Sequence, residues 1–88
     1  MIITGNQIQF KSNDIYFEKE RSGTKNNTFR IMEDNEKMIF LNSISYIKHI
    51  KITTSDQSDY FEREIKDISI FELNKPSYPY LFIVIFTW

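Results

Sequence analysis

Read by the alternation of apolar and polar positions, the chain is mostly strand. "IITGNQIQF" alternates around Ile3, Ile8 and Phe10, with Gly5 marking a turn. "SNDIYFEKERSG" reads as one short helix. Ser12, Asn13 and Asp14 are N-cap residue types, and Asp14 and Glu18 suit the positive end of the helix. Phe17 and Arg21 lie one turn apart, Ile15 is available to the core, and Gly23 can take the positive φ of a C′ residue. "NNTFRIM" follows as a strand, with Phe29 and Ile31 on one face and Thr28, Arg30 and Met32 on the other. The pattern predicts Phe29 and Ile31 in the core, and Thr28 and Arg30 toward a cleft or solvent.

Further on, "EDNEK" reads as a polar turn and "MIFLNSISYIKHIKIT" as one strand or two, rich in β-branched residues. "TSDQSD" reads as a hairpin loop. Residues 60–72 fit either a helical stripe (Phe61, Ile65, Ile68) or a strand with a bulge near Lys66-Asp67, and the strand pairs more simply with its predecessor. "NKPSYP" breaks the chain. "YLFIVIFTW" is continuously apolar, as a strand buried on both faces would be. One helix cannot cover so long a flat sheet. The economical α+β arrangement is a curled, barrel-like sheet of five or six strands with one short N-terminal helix at an end.

Length changes little in this picture: 88 residues make one domain, 1–88, with a modest core. Aromatic content of 16% argues for a packed interior over disorder. A net charge of −1 advertises no global field for nucleic acid, which leaves only local basic patches. The absence of cysteine excludes disulfides, thiolate metal sites and cysteine nucleophiles. No signal-peptide pattern opens the chain, and "YLFIVIF" is far short of a membrane span. A soluble cytoplasmic protein is expected, without cofactor or metal. Its Ile, Lys and Asn usage suits an AT-rich bacterial or phage genome. An exposed edge strand leaves monomer and edge-paired homodimer both open.

The chemistry concentrates in "RSGTKNNTFR". Lys25, Thr28 and Arg30 offer a movable ammonium, a hydroxyl and a planar donor fork, an inventory that suits a phosphate, a carboxylate or a nucleobase carbonyl. The plainer reading makes Lys25 a surface lysine, Thr28 an ordinary strand residue, and Arg30 the cross-strand partner of Glu62 or Glu64. Lys48, Lys51, Arg63 and Lys66, with Tyr46 and Tyr60, are a second candidate strip for nucleic acid. Glu62, Glu64 and Asp67 interleave with them, as on a solvated hairpin. His49 has no partners spaced for a metal. Tyr78, Tyr80 and Trp88 read as packing around the last strand.

A helix followed by Gly-x-Lys-x-x-Thr-x-Arg (Gly23, Lys25, Thr28, Arg30) and a strand resembles the ASCH family of PUA-like β-barrels. The leading "IQF", the hairpin around residues 46–70 and the final "LFIVIF" follow that family's order, over roughly residues 6–87. Within it the chain is similar to the small bacterial acetylcytidine amidohydrolases, which also have Thr at the motif's third position. The resemblance implies a catalytic lysine and threonine, matched by Lys25 and Thr28, and a glutamate from a later helical segment. That segment shrinks here to "ELNKPSYP", and Glu62, Glu64 and Glu72 do not stand at its position. The expectation is therefore a non-enzymatic module that binds RNA, a nucleotide or a modified base. A minimal acetylcytidine amidohydrolase is the alternative. A third is a phage or mobile-element protein that binds a host protein, with Asp56, Asp59, Glu62 and Glu64 as nucleic-acid mimics.

Overall fold

The computed structural model describes the backbone of residues 1–75 and 78–87, and their side chains except at 34 and 72–82. Its elements are β1 (Ile2–Thr4), β2 (Gln7–Lys11), α1 (Asp14–Arg21), β3 (Asn27–Met32) and α2 (Asp34–Ser43), then β4 (His49–Thr53), β5 (Tyr60–Glu64), β6 (Asp67–Lys75) and β7 (Tyr78–Phe86). This is a small α+β fold of two sheets, ordered β1-β2-β4-β5 and β3-β7-β6. It is not a closed barrel, and the seven strands and two helices among the described residues correct the expected five or six strands and one helix. Among the described residues no helix is long and apolar enough to cross a membrane.

Local chemistry explains the first elements. Gly5, at φ +58°, opens the two-residue loop that sets Thr4 opposite Gln7 in the β1–β2 hairpin. Asn13 caps α1, its side-chain oxygen accepting from the Tyr16 N–H at 3.0 Å. After the C-cap residue Ser22, Gly23 takes φ +87°, where a Cβ would be strained. The buried face of α1 carries Phe17 and Glu20, while Ile15 is 70% exposed and not in the core as expected. Phe17 packs on Phe61 with ring centroids 5.3 Å apart.

Helix α2 replaces the expected turn and strand. Phe40 lies inside α2, Ile44 is its C-cap residue, and Ile47 follows in the connection to β4. Phe40 and Ile47 are buried in the core and Ile44 packs against it. Met38 and Ile39, which made "MIFL" look like a strand, stay exposed.

The sheets meet at a corner in residues 65–66. The Ile65 N–H donates to the Lys48 carbonyl and the Lys66 N–H to the Phe86 carbonyl, each at 2.8 Å, so adjacent residues serve different sheets. The region from 60 onward is thus strand, and the kink expected near Lys66 is a change of sheet between β5 and β6. In the second sheet β7 lies between β3 and β6. Ile83 and Ile85 are fully buried and Val84 is half-buried, so over residues 83–85 β7 is fully covered on one face only. One cluster joins both sheets and both helices: Ile8, Phe10, Ile50, Ile52 and Phe61 from the first sheet, Met32, Ile83 and Ile85 from the second, and Phe17 and Phe40 from the helices. Each large side chain so buried contributes roughly 1.5–3 kcal/mol before entropy is counted. The side chains of Tyr78 and Tyr80, and Trp88, lie outside the described residues.

Candidate functional site

The site is assembled where α1 ends and β3 begins. Gly23 turns the chain off the helix, and the Lys25 N–H donates to the Lys19 carbonyl at 2.9 Å, holding the loop against the helix end. The Asn26 carbonyl is pinned by the Thr87 N–H at 2.9 Å and the Thr87 hydroxyl at 3.1 Å, which fixes the start of β3 beside β7.

Strand β3 then faces opposite to expectation. Thr28 lies directly across from Ile85 and Arg30 across from Ile83. Opposed residues in an antiparallel pair share a face, so Thr28, Arg30 and Met32 turn inward with the buried side of β7. Thr28 is 3% exposed, while Phe29 and Ile31 are 49% and 55% exposed. The period-2 alternation was readable; which half of it faces in was set by pairing with a strand some fifty residues away.

Lys25, Thr28 and Arg30 line one cavity of about 370 Å³, together with Tyr16, Glu20 and Lys11. The Lys25 ammonium stands 3.3 Å from Glu20 Oε1 and 5.1 Å from the centre of the Tyr16 ring. Arg30 donates from Nε to Thr28 Oγ1 at 3.2 Å and from Nη1 to the Lys11 carbonyl at 2.8 Å. Its guanidinium lies over the Phe10 ring at 4.8 Å. These contacts fix its plane and leave Nη2 without a hydrogen-bond partner among the described residues. Burial lowers the pKa of Arg30 from its ordinary value, and the charge of Glu20 opposes that shift. The expected surface pairing of Arg30 with Glu62 or Glu64 does not form, because β3 pairs with β7 and not with β5.

Glu20 is the residue the sequence reading passed over. It is 6% exposed, and its Oε2 has no hydrogen-bond partner among the described residues. The available signal was its position three residues after Phe17, which puts a carboxylate on the buried face of α1. A water-sized chamber of about 10 Å³ lies behind the cavity, lined by Glu20, Lys25, Asn27 and Thr28 and closed by Ile50 and Phe61. The other carboxylates considered lie elsewhere. Glu62 and Glu64 are exposed on β5, and the Glu72 side chain is outside the described residues.

The hairpin residues do not form one strip. Lys51 sits opposite Glu62, and Arg63 opposite Ile50, which puts the two cations on opposite faces. The Lys51 ammonium lies 4.3 Å from the Tyr60 ring centre. Arg63 donates to the Arg21 carbonyl at 2.9 Å and stacks over Phe61. Lys66 pairs with Glu64 at 3.5 Å, and Lys48 is exposed. Asp59 is bound by Arg21 at 2.7 Å, and Asp56 is held within the hairpin loop by Ser58 and Thr54. His49 is exposed, and no group of three or more His, Cys, Asp or Glu suited to a metal occurs among the described residues. Compared with known proteins, the chain significantly matches no family model, no curated protein and no solved structure.

Proposed function

We propose that the cavity at Lys25, Thr28 and Arg30 binds RNA, a nucleotide or a modified base, on a PUA-like scaffold of ASCH type. The carrying observation is the convergence of these three side chains on one hollow of about 370 Å³. Arg30 presents a fixed donor, Lys25 a movable one, and Thr28 a hydroxyl, beside a Tyr16 ring at the rim. Glu20 adds a buried acceptor for the amino or imino edge of a base. The scaffold reading is supported by the order of strand, helix, motif, strand and hairpin, and by the turn from one sheet into the other at residues 65–66. Helix α2 is the main departure from the one-helix arrangement that the hydrophobic pattern predicted.

Titration with the four ribonucleoside 5′-monophosphates, followed by NMR, tests the proposal. Shifts should centre on residues 16–30 and vanish in Lys25→Ala. Shifts confined to the β4–β5 hairpin, or none at millimolar ligand, overturn it.

One observation favours a second reading, the amidohydrolase. Lys25, Thr28 and a carboxylate do meet, with Glu20 supplied by the helix before the motif and not by a later segment. In that reaction Thr28 Oγ attacks the acyl carbon, and the amide C–N bond breaks. The leaving nitrogen takes a proton to become the cytidine amine, and water then releases acetate from Thr28. The adjacent Lys25 and Glu20 provide a proton donor and an acceptor. Acetylcytidine incubated with high enzyme should yield cytidine, and Lys25→Ala, Thr28→Ala and Glu20→Gln should each stop it. Absence of any turnover removes this reading and leaves the binding one intact.

A further inference from the structure

A second hollow of about 390 Å³ adjoins the first along the unpaired side of β3. It is lined by Ile2, Gln9, Phe10, Ile31, Met32 and Glu36, and it shares Lys11 and Arg30 with the first. It occupies the seam where the edge of one sheet, β3, meets β1 and β2 of the other without strand pairing. Two chambers of similar size thus stand on either side of one pair of cations.

The partition is built rather than incidental. The Arg30 guanidinium is held by Thr28, by the Lys11 carbonyl and by the Phe10 ring, so its remaining donor edge is fixed in place. Lys11, one residue before Ser12 and exposed, carries a mobile ammonium beside it. A rigid planar donor and a flexible cation suit a phosphodiester. The chamber on one side has the Tyr16 and Phe29 rings with Glu20, Lys25 and Thr28. The chamber on the other has apolar walls from Ile2, Ile31 and Met32, with Gln9 and Glu36 as polar groups. Each has a flat or apolar surface for a base face and side chains able to hydrogen-bond a base edge.

From this we infer that the ligand is a two-nucleoside step of single-stranded RNA. Its phosphodiester lies on Arg30 and Lys11, with one nucleoside in each chamber. The inference rests on the nucleotide-binding reading and narrows it from a single nucleotide to a strand.

Affinity of the four dinucleoside monophosphates ApA, CpC, GpG and UpU, measured against the matching 3′-mononucleotides, tests it. The best dinucleoside monophosphate should bind about tenfold more tightly than its mononucleotide, since burying a second base against apolar walls adds roughly that. Ile31→Gln puts a polar, uncharged side chain into the apolar wall of the second chamber at an exposed position that folding tolerates. It should abolish the gain while leaving the mononucleotide affinity unchanged. Gln9→Ala, on a separate strand, should do the same. Equal affinity for the two ligands, or a gain that survives both variants, overturns the two-chamber inference while single-nucleotide binding stands. Failure of both ligands to bind overturns the function proposed for the first chamber and this inference with it.

Discussion

Two parts of the molecule carry cations beside aromatic rings, and only one of them forms a hollow. Around residues 20–30, Lys25 and Arg30 line the same cavity with a buried hydroxyl and a buried carboxylate. On the β4–β5 hairpin, Lys51 and Arg63 point to opposite faces, and Lys66 and Lys51 are engaged with an exposed glutamate and a tyrosine ring. Composition is nearly the same in both places. The difference lies in what stands beside the cations: the β3 cations meet the end of α1 with its buried Glu20, whereas Lys51 on the hairpin meets exposed Glu62 and the Tyr60 ring. Cations converge where a helix end covers a strand, and they spread where one sheet face meets water.

The sharpest way to break this comparison is to test which face of β3 is inside. Met32→Ala removes a side chain that is 1% exposed and should cost about 3 kcal/mol in chemical denaturation. Ile31→Ala, one residue away, should stay within ~0.5 kcal/mol because Ile31 faces out. Equal costs would mean that Thr28 and Arg30 are not on the core side, and the cavity would lose its floor.

Next in size is the ion pair at the cavity. Lys25→Ala removes the ion-pair partner of the buried Glu20 carboxylate and leaves only the more distant charge of Arg30. Loss of a fully buried partner costs ~3–5 kcal/mol, and the partial exposure of Lys25 reduces this to about 2 kcal/mol. Glu20→Leu combined with Lys25→Met should recover most of that loss. On the hairpin, Lys66→Ala breaks an exposed pair and should change stability by less than ~0.5 kcal/mol. Thermal melts of the three variants separate a buried pair from a surface one.

How much of this could be read from the residues alone depended on range. The Gly5 turn, the Asn13 cap, the Gly23 stop and the β4–β5 hairpin follow from interactions within a few residues, and each appears where the pattern placed it. Three features required distant partners. The inward face of β3 is chosen by Ile83 and Ile85 of β7. Helix α2 is anchored by Phe40, which packs among core residues from both sheets, although "MIFL" by itself suits either structure. The strand after Tyr60 changes sheet at residues 65–66, where separate carbonyls from two sheets capture consecutive N–H groups. The motif residues were legible as a group, but the carboxylate among them was not. Glu20 precedes the motif on a helix whose other acidic groups are exposed, and only its alignment with Phe17 distinguishes it.

A smaller effect probes how Arg30 differs from the hairpin cations. Arg30→Lys retains the charge but loses the fork that holds Thr28 Oγ1 and the Lys11 carbonyl together. Nucleotide affinity should fall about tenfold, in line with the loss of one charge-assisted hydrogen bond. Lys51→Ala and Lys48→Ala should each leave it within about twofold, because neither lines a cavity with the motif residues. Calorimetric titration of the three variants checks the ranking, and a large loss in Lys51→Ala would move the binding face to the hairpin.

The smallest expected change concerns the polar cluster on the hairpin itself. In the loop joining β4 and β5, Asp56 accepts from the Ser58 hydroxyl at 2.7 Å, the Ser58 N–H at 3.0 Å and the Thr54 hydroxyl at 2.8 Å. These donors, Ser58 first, lower its pKa from 3.8 to about 2. A depressed carboxylate favours the folded loop above its unfolded pKa, and that contribution fades as pH falls from 3.8 toward about 2. The amide proton of Ser58, followed by NMR from pH 5 downward, should therefore titrate with a midpoint near 2 and move little around 3.8. In Asp56→Ala that titration should disappear while the resonances of Thr28 and Arg30 stay in place. A midpoint at the ordinary carboxylate value would show that the loop's hydrogen bonds are not maintained in solution. Coincident movement of the Thr28 and Arg30 resonances, lost with Asp56, would show the hairpin loop and the cavity to be coupled, so that the two regions could no longer be treated as independent.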